Sequence, residues 1–174
     1  MPDWMERFRR RRKENENRKR IQALRRQGVR IGEGCLIFST FFSTEPYLIS
    51  LGDRVAIASG VRFITHNALA FRLRPKYRDL QVFAPITVGD DTIIGLNAII
   101  LPGTVIGKNC LINAGAVVRG TIPDDAAVGG NPAQVYGKVS EMLLRLPDDP
   151  GRLDVYNLPS AERRRRIEAH FGLG

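Results

Sequence analysis

His66 stands where an ordered pattern stops. VRFITH (61–66) still keeps the apolar spacing, with Val61 two before Phe63, NALAFRLRPKYRDLQVFAP (67–85) is basic, aromatic and irregular, and the order resumes at Ile86. An imidazole titrates near neutrality, so one ring can take a proton from an attacking hydroxyl or amine and hand it to a leaving group. A long excursion inside a compact domain is itself a functional signal. The chain has only one other histidine, His170, which lies in a basic C-terminal segment and is expected to be solvated. Two imidazoles cannot supply the roughly three protein ligands of a His-based catalytic zinc site, so no metal is expected. Cys35 and Cys110 are far apart and lack C-x-x-C spacing, which predicts small buried residues rather than a redox or disulfide pair.

What must position His66 is a repeat. From Val88 an aliphatic residue recurs every six positions, at Ile94, Ile100, Ile106, Ile112 and Val118. Two residues before each stand Ile86, Thr92, Ala98, Thr104, Cys110 and Ala116, mostly small, and glycine follows at Gly89, Gly95 and Gly107. Six is not the helical period; within each unit the two inward positions share one face of a short strand, and the rest is turn. Three units close a triangular coil whose backbone pairs with the coils above and below. The same spacing links Leu51, Ile57 and Phe63, while Ile31 and Ile37 run out of phase, placing an irregularity between about 38 and 48. Repeats are thus expected over about 29–128.

These hexads, the segment ITVGDDTIIGLNAIILPGTVIGKNCLINAGAVVRGTIPDDAAVGGNPAQVYGK (86–138), and STEPYLI (43–49) with VRFITH resemble the hexapeptide-repeat acyltransferases. Within them the chain looks like sugar O-acetyltransferases of the galactoside and maltose type and the capsule or O-antigen enzymes. The resemblance implies an all-β fold, a left-handed parallel β-helix with helical segments at both ends. It also implies a homotrimer whose site is completed by two chains, and acetyl-CoA as acyl donor with no metal. His66 is then the general base in direct transfer to a sugar or glycan hydroxyl, with the 67–85 loop leaning over an adjacent subunit. Leu96 matches the position whose amide stabilises the oxyanion. Ala114 matches the pantetheine contact, and Arg119, Asn131, Pro132 and Lys138 fall where the family meets the nucleotide and its phosphates. Ile93, in TIIG, departs from the tryptophan many relatives carry beside the histidine. Glu45, Tyr47, Arg74 and Tyr77 are candidate acceptor contacts, since hydroxyl-rich sugars are gripped by carboxylates and aromatics. N-acetylation of an amino sugar nucleotide is a near alternative, and a non-catalytic scaffold is one from another class.

The resemblance leaves out both ends, which divides the chain into 1–28, 29–138 and 139–174. The formal charge of +9 belongs to the first of these: residues 1–30 hold 12 Lys/Arg against 4 Asp/Glu, and 31–174 hold 15 against 14. Residues 4–27 lack Pro and Gly and predict a helix with a thin apolar stripe of Met5, Phe8, Ile21 and Leu24, able to cover the edge of the first coil. The run RFRRRRK (7–13) fits a solvated helix face, contact with anionic lipid, or nucleic acid. No nucleic-acid partner is expected, because the body is nearly neutral. Peripheral membrane contact remains open. VSEMLLRL is expected as a short helix closing the last coil, and AERRRRIEAHF (161–171) as a second basic helix. No apolar run approaches the ~20 residues of a membrane span, and the basic start lacks a following apolar core, so a cytoplasmic protein is expected.

Overall fold

The computed structural model describes residues 3–173, with side chains from residue 12 onward. Met5, Phe8 and most of the RFRRRRK run therefore lie outside the described side chains. From Arg30 the chain visits three sheets in rotation. The first holds β1 (Arg30–Ile31), β4 (Ile49–Leu51), β7 (Ile86–Val88), β10 (Val105–Ile106) and β13 (Thr121–Ile122). The second holds β2 (Leu36–Ile37), β5 (Ala56–Ile57), β8 (Ile93–Ile94), β11 (Leu111–Ile112) and β14 (Ala126–Gly130), and the third β3 (Phe41–Phe42), β6 (Arg62–Phe63), β9 (Ile99–Ile100) and β12 (Val117–Val118). Each strand pairs in parallel with its counterpart one turn away: Val88 stands beside Ile106, Ile94 beside Ile112 and Ile100 beside Val118, three hexads on in each case.

One residue of each short strand points inward and its neighbour outward, so the hexad aliphatics stack in buried columns, among them Ile37, Ile57, Ile94 and Ile112. Fully burying each such side chain contributes about 1.5–3 kcal/mol. Phe42 and Phe63 continue one column as a ring pair with centroids 4.8 Å apart. The positions two before each aliphatic lie at the corners and are buried, as at Ala98 and Ala116. Where these residues are polar they bond to backbone: Thr92 Oγ1 donates to the Gly107 carbonyl at 3.0 Å. Cys35 and Cys110 occupy the same kind of corner, and burial pushes both thiols up. At the corner between the first and second sheets an Asp of one coil accepts the amide of the coil below, as Asp90 Oδ1 does from Asp53 N at 3.0 Å. A Cβ on Gly52 would lie 2.3 Å from that oxygen, so only glycine leaves room for the contact.

The rotation is interrupted twice, and both times at the corner between the third and first sheets. Residues 43–48 bulge out after β3, with Ser43 at φ 58° and a 3-10 turn over Pro46–Leu48, and residues 64–85 leave after β6. The first is the irregularity expected between 38 and 48.

Helix α1 (Asp3–Arg26) closes the lower end. Asn17, Arg20, Ile21, Leu24 and Arg25 fall on one face by helical spacing. Leu24 is buried in the core and Ile21 packs against it. Asn17 pairs with the open edge of β2 as a strand would: its Nδ2 donates to the Cys35 carbonyl at 3.0 Å and its Oδ1 accepts from Ile37 N at 2.9 Å. Arg20 donates to the Ile37 carbonyl, and Arg25 to those of Ile31 at 2.7 Å and Gly32 at 3.0 Å.

The upper end departs from the hexads. β14 turns back into β15 (Ala133–Lys138), an antiparallel hairpin whose tip carries a cis Asn131–Pro132 bond. α2 (Val139–Arg145) follows, anchored by Ser140 N and Oγ donating to Asp125. It was expected to close the last coil, but it buries no residue and leaves Leu143 and Leu144 exposed. The hairpin intervenes, and it takes the hydrogen bonds of the last strand of its sheet. α3 (Ser160–His170) carries Arg164–Glu168 and Arg166–Glu162 pairs at one-turn spacing. His170 is exposed and hydrogen-bonded to the Pro150 carbonyl at 2.7 Å.

Replacing Asn17 by Leu leaves a half-buried carbonyl and amide of β2 without partners. Unfolding in urea should show a loss of about 1–3 kcal/mol, with the coil otherwise intact by circular dichroism.

Candidate active site at the interrupted corner

The two excursions are stacked, because pairing of β3 with β6 sets Phe42 beside Phe63 and thus puts Ser43–Glu45 under Thr65–His66. Thr65 is fully buried, and its Oγ1 lies 2.7 Å from both Ser43 Oγ and Glu45 Oε2. Thr65 N donates to Ser43 Oγ at 3.2 Å. His66 Nδ1 is 3.0 Å from Glu45 Oε2, with the Glu45 side chain 14% and that of His66 44% exposed. Thr44 Oγ1 donates to the other carboxylate oxygen at 2.6 Å. The backbone of His66 is clamped from the far side: Asn67 N donates to the Val82 carbonyl at 2.9 Å and Ala84 N to that of Thr65 at 2.8 Å, forming a one-residue antiparallel bridge between His66 and Phe83.

Burial of the Glu45 carboxyl works against its charge, but hydrogen bonds from Thr44, Thr65 and His66, with the charge of His66, outweigh this and hold it down from 4.5 to about 2. An ionised carboxylate only accepts hydrogen bonds, so the proton of a neutral His66 ring sits on Nδ1 and the lone pair on Nε2. Nε2 is on the side of the ring away from Glu45. The arrangement is a partly exposed proton acceptor with a fixed tautomer and a carboxylate behind it.

The other residues singled out in the sequence do not all gather here. Glu45 was expected among the acceptor contacts, but its oxygens are occupied by Thr44, Thr65 and His66. Tyr47, on the 3-10 turn that follows it, is 56% exposed on the same edge. Arg74 and Tyr77 lie in the loop, exposed, with the Arg74 guanidinium 5.4 Å from the Phe71 ring centre. Leu96 and Ala114 are on a different edge, between the second and third sheets, one directly above the other: Gly115 N donates to the Leu96 carbonyl at 2.8 Å. Gly95 permits this, since a Cβ there would be 2.5 Å from Ala114 N. The hairpin tip with Asn131 and Pro132 continues from Gly129, which packs on Asn113, so it belongs to that second edge. Arg119 follows β12 on the His66 edge, two coils up, and Lys138 ends the hairpin near Asp125 at the third edge. Within one chain, then, His66 is separated from Leu96 and Ala114 by the width of the third sheet. Thr65 and Ser43 were given no role in the sequence reading, and only their place inside the two motifs quoted there, VRFITH and STEPYLI, hinted at them. Among the described residues no group of three or more His, Cys, Asp or Glu side chains is disposed to hold a metal ion.

A family model described as the hexapeptide repeat of succinyl-transferase matches residues 85–119. Protein CapG of Staphylococcus aureus is 41% identical over 114 residues, 64% of this chain and 66% of that protein. The galactoside O-acetyltransferase of Escherichia coli is 34% identical over 98 residues, 56% of this chain and 47% of that one. The chain thus spans about half to two thirds of the length of these two and of three further curated relatives. Among solved structures, a hexapeptide-repeat acetyltransferase of Vibrio cholerae complexed with acetyl coenzyme A superposes with a TM-score of 0.58 at 31% identity, covering 64% of this chain and 61% of that one. A maltose O-acetyltransferase of Clostridium difficile gives 0.54 at 26%, covering 72% and 78%.

The depressed pKa of Glu45 has a consequence for stability. A carboxyl whose pKa is lower folded than unfolded adds stability that is complete above about 4.5 and is lost as pH falls towards about 2. Glu45→Gln should therefore flatten the decline in urea midpoint between pH 5 and pH 2.5; an unchanged slope would mean that the carboxylate is not held as described.

Proposed function

We propose that this chain, which carries the hexapeptide repeat and is similar to hexapeptide-repeat acetyltransferases, is an acetyl-CoA-dependent O-acetyltransferase acting on a sugar or glycan hydroxyl. The observation that carries the reading is the His66–Glu45 pair, partly open to solvent at the corner where the repeats part. The rotation of short parallel strands is, on this reading, a left-handed parallel β-helix, and a cytoplasmic setting goes with the donor. No described helix is long and apolar enough to cross a membrane.

In the proposed reaction the acceptor hydroxyl approaches Nε2 of His66. As its oxygen bonds to the thioester carbonyl carbon, its proton passes to Nε2, and the imidazolium is stabilised by the Glu45 carboxylate behind it. The tetrahedral intermediate carries its negative charge on the former carbonyl oxygen, for which the Leu96 amide is the proposed donor. The carbon–sulfur bond then breaks, the carbonyl re-forms as an ester, and the proton on Nε2 goes to the departing thiolate. One ring thus serves both halves, and no covalent enzyme intermediate is needed. Glu45 is a positioning residue in this scheme, setting tautomer and orientation. Ala114, Arg119, Asn131, Pro132 and Lys138 are proposed contacts for the donor, and Tyr47, Arg74 and Tyr77 for the acceptor.

Because His66 and Leu96 lie on different edges of one chain, this mechanism needs a second copy, and a homotrimer with sites between neighbouring coils provides it. Apolar side chains line the second edge and its flanks, with Phe38 53%, Phe41 52%, Ile93 51% and Leu96 53% exposed, as a face covered by another copy requires.

Release of free thiol from acetyl-CoA with a panel of glycosides tests the activity. His66→Ala should lower kcat by about 10²–10⁴-fold with little change in KM. Glu45→Gln should lower it less, because the ring remains but loses its charged support. Wild-type rates in His66→Ala, or no transfer from the wild type to any hydroxyl or amine acceptor, would remove the assignment.

The shared site makes a separate prediction. His66→Ala and Ala114→Trp chains, each inactive alone, should regain part of the activity when unfolded and refolded together, because some interfaces then pair an intact His66 with an intact Ala114. No recovery in a mixture that forms trimers by sedimentation would show that both residues must come from one chain.

A further inference from the structure

Four cations, Arg72, Arg74, Lys76 and Arg78, project from the loop that begins at His66, with Asp79 as its one carboxylate. All five are exposed, and among the described residues none of the four cations forms an ion pair. At the corner between the first and second sheets, by contrast, the cations are matched: Arg54 is bonded to Asp91 at 2.6 Å and Lys108 to Asp90 at 3.1 Å. Outside the loop, residues 31–174 hold 11 Lys/Arg against 13 Asp/Glu, so the local excess of +3 is a departure from the body, not a continuation of it.

The loop has built geometry. Asn67 Oδ1 caps its first turn by accepting from Leu69 N at 2.9 Å, Tyr77 N donates to the Leu73 carbonyl at 2.8 Å and Leu80 N to that of Tyr77 at 3.1 Å. Its base is tied across His66 by the bonds from Asn67 to Val82 and from Ala84 to Thr65. The Arg74 guanidinium rests over Phe71 and the Lys76 ammonium over Tyr77, 5.3 Å from its centre, which restrains two of the charges. The cations are therefore held on the same segment as the ring that receives the acceptor's proton. The carboxylate that would suit a neutral, hydroxyl-rich sugar is not free, because Glu45 is engaged with His66.

We propose that the acceptor is anionic, a sugar carried on a phosphate or diphosphate ester, and that Arg72, Arg74, Lys76 and Arg78 hold that phosphate while His66 works on a hydroxyl of the sugar. Guanidinium and ammonium groups suit phosphate oxygens through charge-assisted hydrogen bonds. This rests on the acetyltransferase reading and narrows its acceptor. The same chemistry is offered by a nucleotide sugar and by a sugar linked to a polyprenyl diphosphate. The exposed Leu69, Phe71 and Leu73 on the same loop would add contact for the second.

The test uses the full chain with acetyl-CoA and five acceptors: methyl glucoside, glucose 1-phosphate, UDP-glucose, a short-chain polyprenyl-diphosphate glucose and methyl glucuronide. Wild-type kcat/KM should be at least tenfold higher for one of the phosphate-bearing acceptors than for methyl glucoside, and which one wins identifies the carrier. The variant with Arg72, Arg74, Lys76 and Arg78 all changed to Gln should lose that advantage through KM for the acceptor, with KM for acetyl-CoA unchanged. In the wild type, raising salt from 50 to 500 mM should erode the same advantage, a measurement that does not depend on how the variant folds. Equal wild-type rates with methyl glucoside overturn the anionic acceptor but leave the acetyltransferase standing. A rise in KM for acetyl-CoA instead would assign the cations to the donor. The same loop dependence with methyl glucuronide would place the charge on the sugar itself and overturn the phosphate. No transfer to any acceptor removes the underlying reading, and the proposal with it.

Discussion

The structure depends on in-register pairing of each coil with the next. Strands of two or three residues are too short to stand alone, and a single coil has no covered face. Stacked, every short strand within the array finds a partner on each side, those of the end coils on one side, and the inward aliphatics land on one another. The stability of one turn is therefore inseparable from that of its neighbours, as in other one-dimensional arrays. The register also transmits position along the stack: whatever a corner does in one coil is delivered directly above or below the same corner in the next.

That property builds the proposed site. A chain whose coils all closed after three hexads would present uniform edges with nothing protruding. Here two consecutive coils open at the same corner, and the stacking that holds Phe42 on Phe63 also brings Glu45 to His66. The buried Thr65 hydroxyl and the left-handed turn at Ser43 then fix the carboxylate. The pair costs little to preorganise, because the backbone around it is already determined by strand pairing on one side and by the bridge to Phe83 on the other. The open ends of the stack need covering for a related reason. A lower edge of unpaired amides and carbonyls would template further strands, and α1 answers it with side chains, an Asn amide and two guanidiniums in place of a strand.

Much of this was legible in the residues. The six-residue spacing named the inward positions, and the buried columns run through the aliphatics it picked out, with small residues at the buried corners beside them. The break after Ile37 and the excursion after His66 were visible as lost periodicity, and α1 as a long stretch without breakers. Local composition was less informative at the upper end. There AAVGG and AQVYGK form an antiparallel hairpin that interrupts the parallel order, and a helix expected to seal the last coil instead projects apolar residues. The edge of β14 is taken by β15, a pairing that hexad counting does not address.

By itself the sequence determined the period and the inward face of each strand, and it marked His66 as the residue where the period breaks, because these follow from side-chain types at short, regular spacing. Only the tertiary structure decided that the Glu45 carboxylate is hydrogen-bonded to His66 and Thr65, and that Leu96 and Ala114 share an edge which His66 does not. Those facts concern residues about twenty or more positions apart, and their separation in space is set by how many times the chain has gone round and at which corner it paused. A count of residues along the chain carries the first of these only where the turns are regular, and at the site they are not.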